Sequence, residues 1–143
     1  MPPPLPSPGC FACGPDHPSG LRLTFAIDPA TGTVQAQTVL AETFAGADGI
    51  AHGGIVATLL DEAMVYASRS ATPLAATASL SVRYRQPTPV GVVLDLEATV
   101  LWNRGRAVRC RAWLRQDGQL LAEAEGTLLR LRPSLAPPDS QAI

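Results

Sequence analysis

Two groups of residues in this chain combine types and spacings that chemistry can use. The first is His52-Gly53-Gly54, with Asp61 nine positions after the histidine. The glycines open a helical pattern, and the N-terminus of a helix presents free N–H groups and a partial positive charge that polarise a carbonyl or hold an anion. With no side chain at 53 or 54, a ligand can come close to that backbone. A carboxylate such as Asp61 can take a proton from water or attack an electrophilic carbon itself. The second group is Cys10-Phe11-Ala12-Cys13-Gly14, followed by His17. Two thiols and an imidazole are zinc-ligand types, but a structural site takes four ligands and no second pair or second histidine lies nearby. Cys110 stands in a later strand pattern with no ligand type beside it. A redox pair is the other chemistry open to Cys10 and Cys13, yet no thioredoxin-like strand and helix follow them. The favoured interpretation is a tight Gly- and Pro-rich turn packed on the domain, so no metal and no redox cofactor are expected.

These residues depend on the elements that carry them. Val56, Leu59, Leu60, Ala63, Met64 and Ala67 recur at three- and four-residue spacing and predict a helix with one stripe on a core. The opposite side carries Gly54, Ala57, Thr58, Asp61 and Val65 where a solvated helix would carry more charge. Such a helix is expected to be covered on both sides, with one carboxylate inside the second contact. Glu62 points away from Asp61, and its role stays open.

Strand patterns flank the helix. Leu21, Leu23, Phe25 and Ile27 alternate with Arg22, Thr24 and Ala26, and the turn Asp28-Pro29-Ala30-Thr31-Gly32 leads to a returning strand over Thr33 to Leu40. Four more strands are expected at Ala76 to Arg85, Val92 to Asn103, Ala107 to Gln116 and Leu120 to Leu131. Their connections, including Asn103-Arg104-Gly105 and Asp117-Gly118, have the chemistry of short turns between antiparallel neighbours. Two strands, one long helix and four strands imply an α+β fold, in which a six-stranded antiparallel sheet wraps around the helix. Arg83, Arg85, Arg109, Arg111, Glu97, Glu123 and Glu125 interleave with apolar positions, as a sheet with one wet face requires.

A length of 143 residues suits one domain, and an apolar fraction of 46% supplies a core with some surplus for a subunit contact. A net charge of −1 gives no reason to expect nucleic acid or an anionic membrane. All eleven basic residues are Arg. With no apolar run of membrane-spanning length, no signal-like start and an odd count of three cysteines, a soluble, cytoplasmic protein is expected. The Pro-rich residues 1–9 and the Pro-, Ser- and Ala-rich residues 133–143 are expected to be poorly ordered tails around a domain at residues 10–132.

The order of elements, the loop Phe44-Ala-Gly-Ala-Asp-Gly-Ile-Ala-His-Gly-Gly54 and Asp61 at its spacing resemble the hot-dog-fold acyl-CoA thioesterases. The PaaI-like branch is the most similar, in particular members that begin with Cys-x-x-Cys-Gly and a Gly-Leu-Arg, here Cys10 to Gly14 and Gly20-Leu21-Arg22. The resemblance covers roughly residues 10 to 132. It implies two domains side by side with joined sheets and antiparallel helices, so a homodimer, extending to a homotetramer as a dimer of dimers. It further implies acyl-CoA as substrate, with the Gly53 N–H aimed at the thioester oxygen and Asp61 acting from the opposite subunit as general base or nucleophile. That division fits the helix, because Gly54 and Asp61 stand about 10 Å apart along one axis. A hydroxyl holding the water falls on Thr77 by alignment, with Ser79 and Ser81 as close rivals, since strand register is legible in a sequence only to within a residue or two. His52 orients the loop, contacts substrate or simply starts the helix. Phe44, Gly46 and Gly54 are the expected substrate contacts, and Arg104 and Arg106, or Arg83 and Arg85, are candidates for the phosphates of coenzyme A. A non-catalytic acyl- or acyl-CoA-binding module on the same fold is the alternative. A dehydratase is disfavoured, because no histidine follows Asp61.

Overall fold

The strongest period-two alternation in the chain becomes three long strands joined by its tightest turns. In the computed structural model, which describes residues 7–131, these are β4 (Val93–Arg104), β5 (Ala107–Gln116) and β6 (Gln119–Arg130). Asp117 and Gly118 both take positive φ, 49° and 80°, the twist that a two-residue hairpin needs to keep β5 and β6 in line. The earlier elements are β1 (Ala26–Ile27), β2 (Val34–Val39), α1 (Gly53–Ser68) and β3 (Ala75–Tyr84). All six strands form one antiparallel sheet in the order β1-β2-β4-β5-β6-β3. Helix and sheet together make the α+β wrap that the element order implied, the hot-dog architecture of the resemblance.

The core is the seam between α1 and one face of that sheet. Leu94, Leu96 and Ala98 of β4, Val108, Cys110, Ala112 and Leu114 of β5, and Ala122, Ala124 and Leu128 of β6 alternate into it. The expected helical stripe, Val56, Leu59, Leu60, Ala63, Met64 and Ala67, meets them and is buried. Each such leucine contributes about 1.5–3 kcal/mol by leaving water. Gly126 lets the helix lie close on β6, because a Cβ there would stand 3.1 Å from Met64 Cε and 3.0 Å from the Ser79 carbonyl oxygen. The outer face is wet, and Arg85, Arg111 and Glu123, with Arg109–Glu125 and Arg115–Glu97, lie across it as ion pairs. No helix among the described residues is long and apolar enough to cross a membrane.

The first expected strand is shorter than its alternation suggests. Only Ala26 and Ile27 pair with β2. The N–H groups of Leu21 and Leu23 instead donate to the carbonyls of Phe11 and Ala12 at 2.8 and 2.9 Å, and Arg22 adopts φ 53°. The cysteine turn thus captures the segment before it can join the sheet. That turn also engages residues ahead of it, since the Ser7 and Pro8 carbonyls accept bonds from the Cys10 and Asp16 N–H groups. Residues 1–6 and 132–143, most of the expected N-terminal tail and all of the C-terminal one, lie outside the described residues.

At the far side of the sheet, β3 has a partner only along its β6 edge among the described residues. Its exposed positions include Ala76, Ala78, Ser79 and Ser81, with no charge before Arg83. A long edge of small uncharged residues is a template for pairing with another strand.

Candidate active site

The loop from Phe44 to His52 is tied down at several points, which fixes how it enters α1. His52 N–H donates to the Phe44 carbonyl at 2.9 Å, Gly46 N–H to that of Ile50 at 2.9 Å, and Ala51 N–H to that of Thr88 at 2.7 Å. The loop delivers His52 as the N-cap of α1, where its Nδ1 accepts the Gly54 N–H at 2.9 Å. Accepting at Nδ1 leaves the proton of a neutral imidazole on Nε2. The capping role also explains two glycines. A Cβ on Gly46 would come within 3.2 Å of His52 Cα, and one on Gly54 within 3.2 Å of His52 Nδ1.

Gly53 is different. Its nearest neighbour for an added Cβ is Tyr84 Oη at 3.6 Å, an ordinary contact, so the chain's own packing does not require glycine there. Its N–H is exposed, with no acceptor among the described residues. Tyr84 Oη donates to the Gly53 carbonyl at 2.7 Å and steadies that first turn. This tyrosine had no signal in the sequence beyond its place at a strand end. A cleft of about 380 Å³ opens here, lined by Ile50, Ala51, Gly53, Val56, Tyr84 and Arg85 among others.

Asp61 stands two turns further along α1, on its half-covered side with Ala57, Thr58 and Val65. Thr77 Oγ1 donates to Asp61 Oδ1 at 2.6 Å. Ser79 and Ser81 are exposed, because the β3–β6 register shifts between Thr77 and Ser79. Eight residues separate Gly53 from Asp61, about 12 Å of helix. Within one chain the exposed donor and the carboxylate are therefore too far apart to touch the same atom of a ligand.

The other candidates scatter. Phe44 lies partly buried with its ring edge-on to Phe11, and its carbonyl supports the loop. Arg85 borders the Gly53 cleft, whereas Arg83 projects from β3 in register with Glu123. Arg104 and Arg106 sit at the β4–β5 turn, where Arg130 reaches the carbonyls of Gly105, Arg106 and Ala71 beyond the C-terminal end of α1. That is the opposite end of a 16-residue helix from Gly53.

The thioesterase superfamily model matches residues 48–123, just over half of the chain, from the loop before His52 to Glu123 of β6. The chain belongs to the thioesterase superfamily. Acyl-coenzyme A thioesterase THEM4 of Xenopus laevis is 31% identical over 90 residues, covering 62% of this chain and 40% of that protein. Acyl-coenzyme A thioesterase THEM5 of Mus musculus is 32% identical over 89 residues, covering 61% and 36%. The chain thus aligns with less than half the length of these two relatives. Among solved structures, a thioesterase superfamily protein superposes with a TM-score of 0.79 at 28% identity, over 84% of this chain and 62% of that one. A variant of phenylacetic acid degradation protein PaaI from Thermus thermophilus superposes with a TM-score of 0.70 at 26% identity, over 78% and 95%.

This superfamily member also assembles its second chemical group, though not as the sequence suggested. Cys10 Sγ, Cys13 Sγ and a Glu62 carboxylate oxygen lie within 4.8 Å of one another. His17 faces elsewhere, its Nδ1 accepting the Ser19 N–H at 3.1 Å and its ring meeting Phe11. Burial pushes the Cys13 thiol up to about 12 and raises the Glu62 carboxyl. Cys110, deep in the core, is likewise pushed up to about 12 by burial.

Proposed function

We propose that the protein is an acyl-CoA thioesterase that hydrolyses the thioester of an acyl-coenzyme A at sites shared between two copies of the chain. The observation that carries this is the Thr77-held carboxylate of Asp61, on the helix side that its own sheet leaves half-covered. The exposed Gly53 N–H, about 12 Å away on the same helix, supplies the complementary group. Two helices side by side and antiparallel bring Asp61 of one copy beside Gly53 of the partner subunit, and two-fold symmetry makes two such sites. The edge of β3 that has no partner among the described residues offers the strand for that pairing. The names of the THEM4 and THEM5 relatives point to the same substrate class.

In this reading the thioester oxygen accepts the Gly53 N–H at the positive end of α1, which stabilises the charge that develops on it. Asp61, its Oδ1 held by Thr77, takes one proton on Oδ2 from a water molecule, and the water oxygen bonds to the carbonyl carbon. The tetrahedral adduct then expels the coenzyme A sulfur, which takes the proton from Asp61, leaving a carboxylic acid and the free thiol. Asp61 attacking directly to form a mixed anhydride, later hydrolysed by water, gives the same products. Arg85 beside the Gly53 cleft and Arg104 with Arg106 at the other helix end are the candidate phosphate anchors.

The test is free-thiol release from short, long and aryl acyl-CoAs by wild type and Asp61→Asn. Turnover by wild type that falls at least about a hundred-fold in the variant is expected. Saturable acyl-CoA binding without turnover would instead make the protein an acyl-binding module. Mixing inactive Asp61→Asn and Gly53→Val chains tests the sharing. A mixed dimer carries one intact site, so random exchange restores about a quarter of wild-type activity. No recovery after proven exchange puts both groups in one subunit.

A further inference from the structure

The Cys10–Cys13 turn takes no part in the proposed hydrolysis, yet it presses two thiols against α1 where Glu62 meets them. We propose that Cys10 Sγ, Cys13 Sγ and a Glu62 carboxylate oxygen form a zinc(II) site, with water as the fourth ligand. The site stands independently of the thioesterase reading.

Geometry comes first. The three ligand atoms lie within 4.8 Å of one another. Tetrahedral zinc, with bonds of about 2.3 Å to sulfur and 2.0 Å to oxygen, holds its ligand atoms about 3.5–3.8 Å apart. Closing the difference takes at most about 1.3 Å, and the partly exposed Cys10 and Glu62 side chains have room for it. Two thiolates and a carboxylate are a donor set that zinc accepts, and the partly exposed ligands leave a side for water.

The turn is also built as a knuckle. Gly14 N–H donates to the Cys10 carbonyl at 2.8 Å, and Cys13 N–H points at Cys10 Sγ at 3.5 Å. A Cβ on Gly14 would lie 2.4 Å from both Cys10 N and the Pro8 carbonyl oxygen, so only glycine winds the chain this tightly. The tightness puts both sulfurs on one side.

Glu62 supplies the independent indication of a cation. It is a half-buried acid facing two thiols, and among the described residues no arginine lies within ion-pair distance of it. An acid next to the Asp61 position on the same helix, facing two thiols and with no cation beside it among the described residues, is an arrangement that a divalent ion would complete. Zinc there would tie the turn to α1 one residue from Asp61.

The experiment uses the full chain, reduced and stripped with a chelator, then titrated with cobalt(II) as a visible stand-in and with zinc in competition. Expected are one equivalent of cobalt, a near-ultraviolet sulfur-to-cobalt band, visible bands of tetrahedral intensity, and loss of both on adding zinc. Cys13→Ser removes the band. Glu62→Gln, with unchanged circular dichroism, weakens zinc binding by at least about ten-fold, and zinc raises the melting temperature of wild type more than that of the variant. His17→Ala leaves binding unchanged. Absence of the sulfur-to-cobalt band in protein with three titratable thiols, or zinc well below one equivalent, would overturn the proposal. So would binding indifferent to Glu62→Gln or lost with His17→Ala. If Cys13→Ser does not fold, Cys10→Ser and Glu62→Gln decide the matter.

Discussion

Thr77 on β3 reaches Asp61 on α1 with a 2.6 Å hydrogen bond because a bulge between Thr77 and Ser79 changes which side chains face the helix. Before the bulge, Ala75 and Thr77 turn inward; after it, Leu80 and Val82 do, leaving Ser79 and Ser81 exposed. Bulges re-aim side chains in this way beside functional sites. The bond occupies Oδ1, while Oδ2 has no partner among the described residues.

A hydrogen bond to a carboxylate is worth about 1.5–3 kcal/mol. Thr77→Val should therefore lower kcat by roughly ten- to a hundred-fold if the bond positions Asp61 or its water, since about 1.4 kcal/mol is a factor of ten. Ser79→Ala and Ser81→Ala should stay within about two-fold of wild type by the same scale. Equal effects at all three positions would rule out a special role for Thr77.

Gly53→Ala separates folding from function. The added methyl group meets nothing closer than Tyr84 Oη at 3.6 Å, and alanine suits a helix better than glycine. The melting temperature should hold or rise slightly while kcat/KM falls at least about ten-fold, because the methyl group displaces a substrate from the Gly53 N–H. Thermal melts and acyl-CoA kinetics on one preparation check this, and full activity would remove Gly53 from the site.

His52 acts on the chain as a cap, with Nδ1 on the Gly54 N–H. His52→Ala should cost about 1 kcal/mol of stability, roughly a 3 °C lower melting temperature for a chain of this size. Asparagine is a good capping residue, so His52→Asn should recover most of that loss. Restored stability with restored activity marks a positioning residue; restored stability without activity marks a direct contact with substrate.

On the outer face of the sheet, Glu123 accepts from Arg111 at 2.8 Å and from Arg85 at 3.3 Å. Hydrogen bonding from Arg111 holds its carboxyl below the ordinary glutamate value of 4.5. Its contribution to stability is thus complete above that value and is lost as pH falls through the lower folded-state value. Glu123→Gln should cost less than about 1 kcal/mol at pH 7, since its partners Arg85 and Arg111 are 49% and 39% exposed and solvent screens both pairs. The gap to wild type should shrink in urea melts at acid pH, and a gap that widens there would contradict the assignment.

Local patterns were enough to lay out most of this fold. The stripe from Val56 to Ala67 marks α1, the two-residue alternation marks β5 over the same residues that form it, and Asp117-Gly118 marks its hairpin. Each follows from periodicity or turn chemistry carried by neighbours in sequence. The spacing of His52, Gly53, Gly54 and Asp61 was equally visible, because one helix carries it. What the sequence left open were relationships between elements. Alternation alone cannot locate a bulge, so the choice among Thr77, Ser79 and Ser81 waited for the β3–β6 register. The first strand shrank to Ala26 and Ile27 because Phe11 and Ala12 claim the N–H groups of Leu21 and Leu23. Nothing near Cys10 in sequence points to Glu62; only the packing of the turn on α1 brings that acid to the two thiols and turns His17 away. Short-range periodicity decides what each segment becomes, whereas meetings between distant side chains depend on packing that no local window contains.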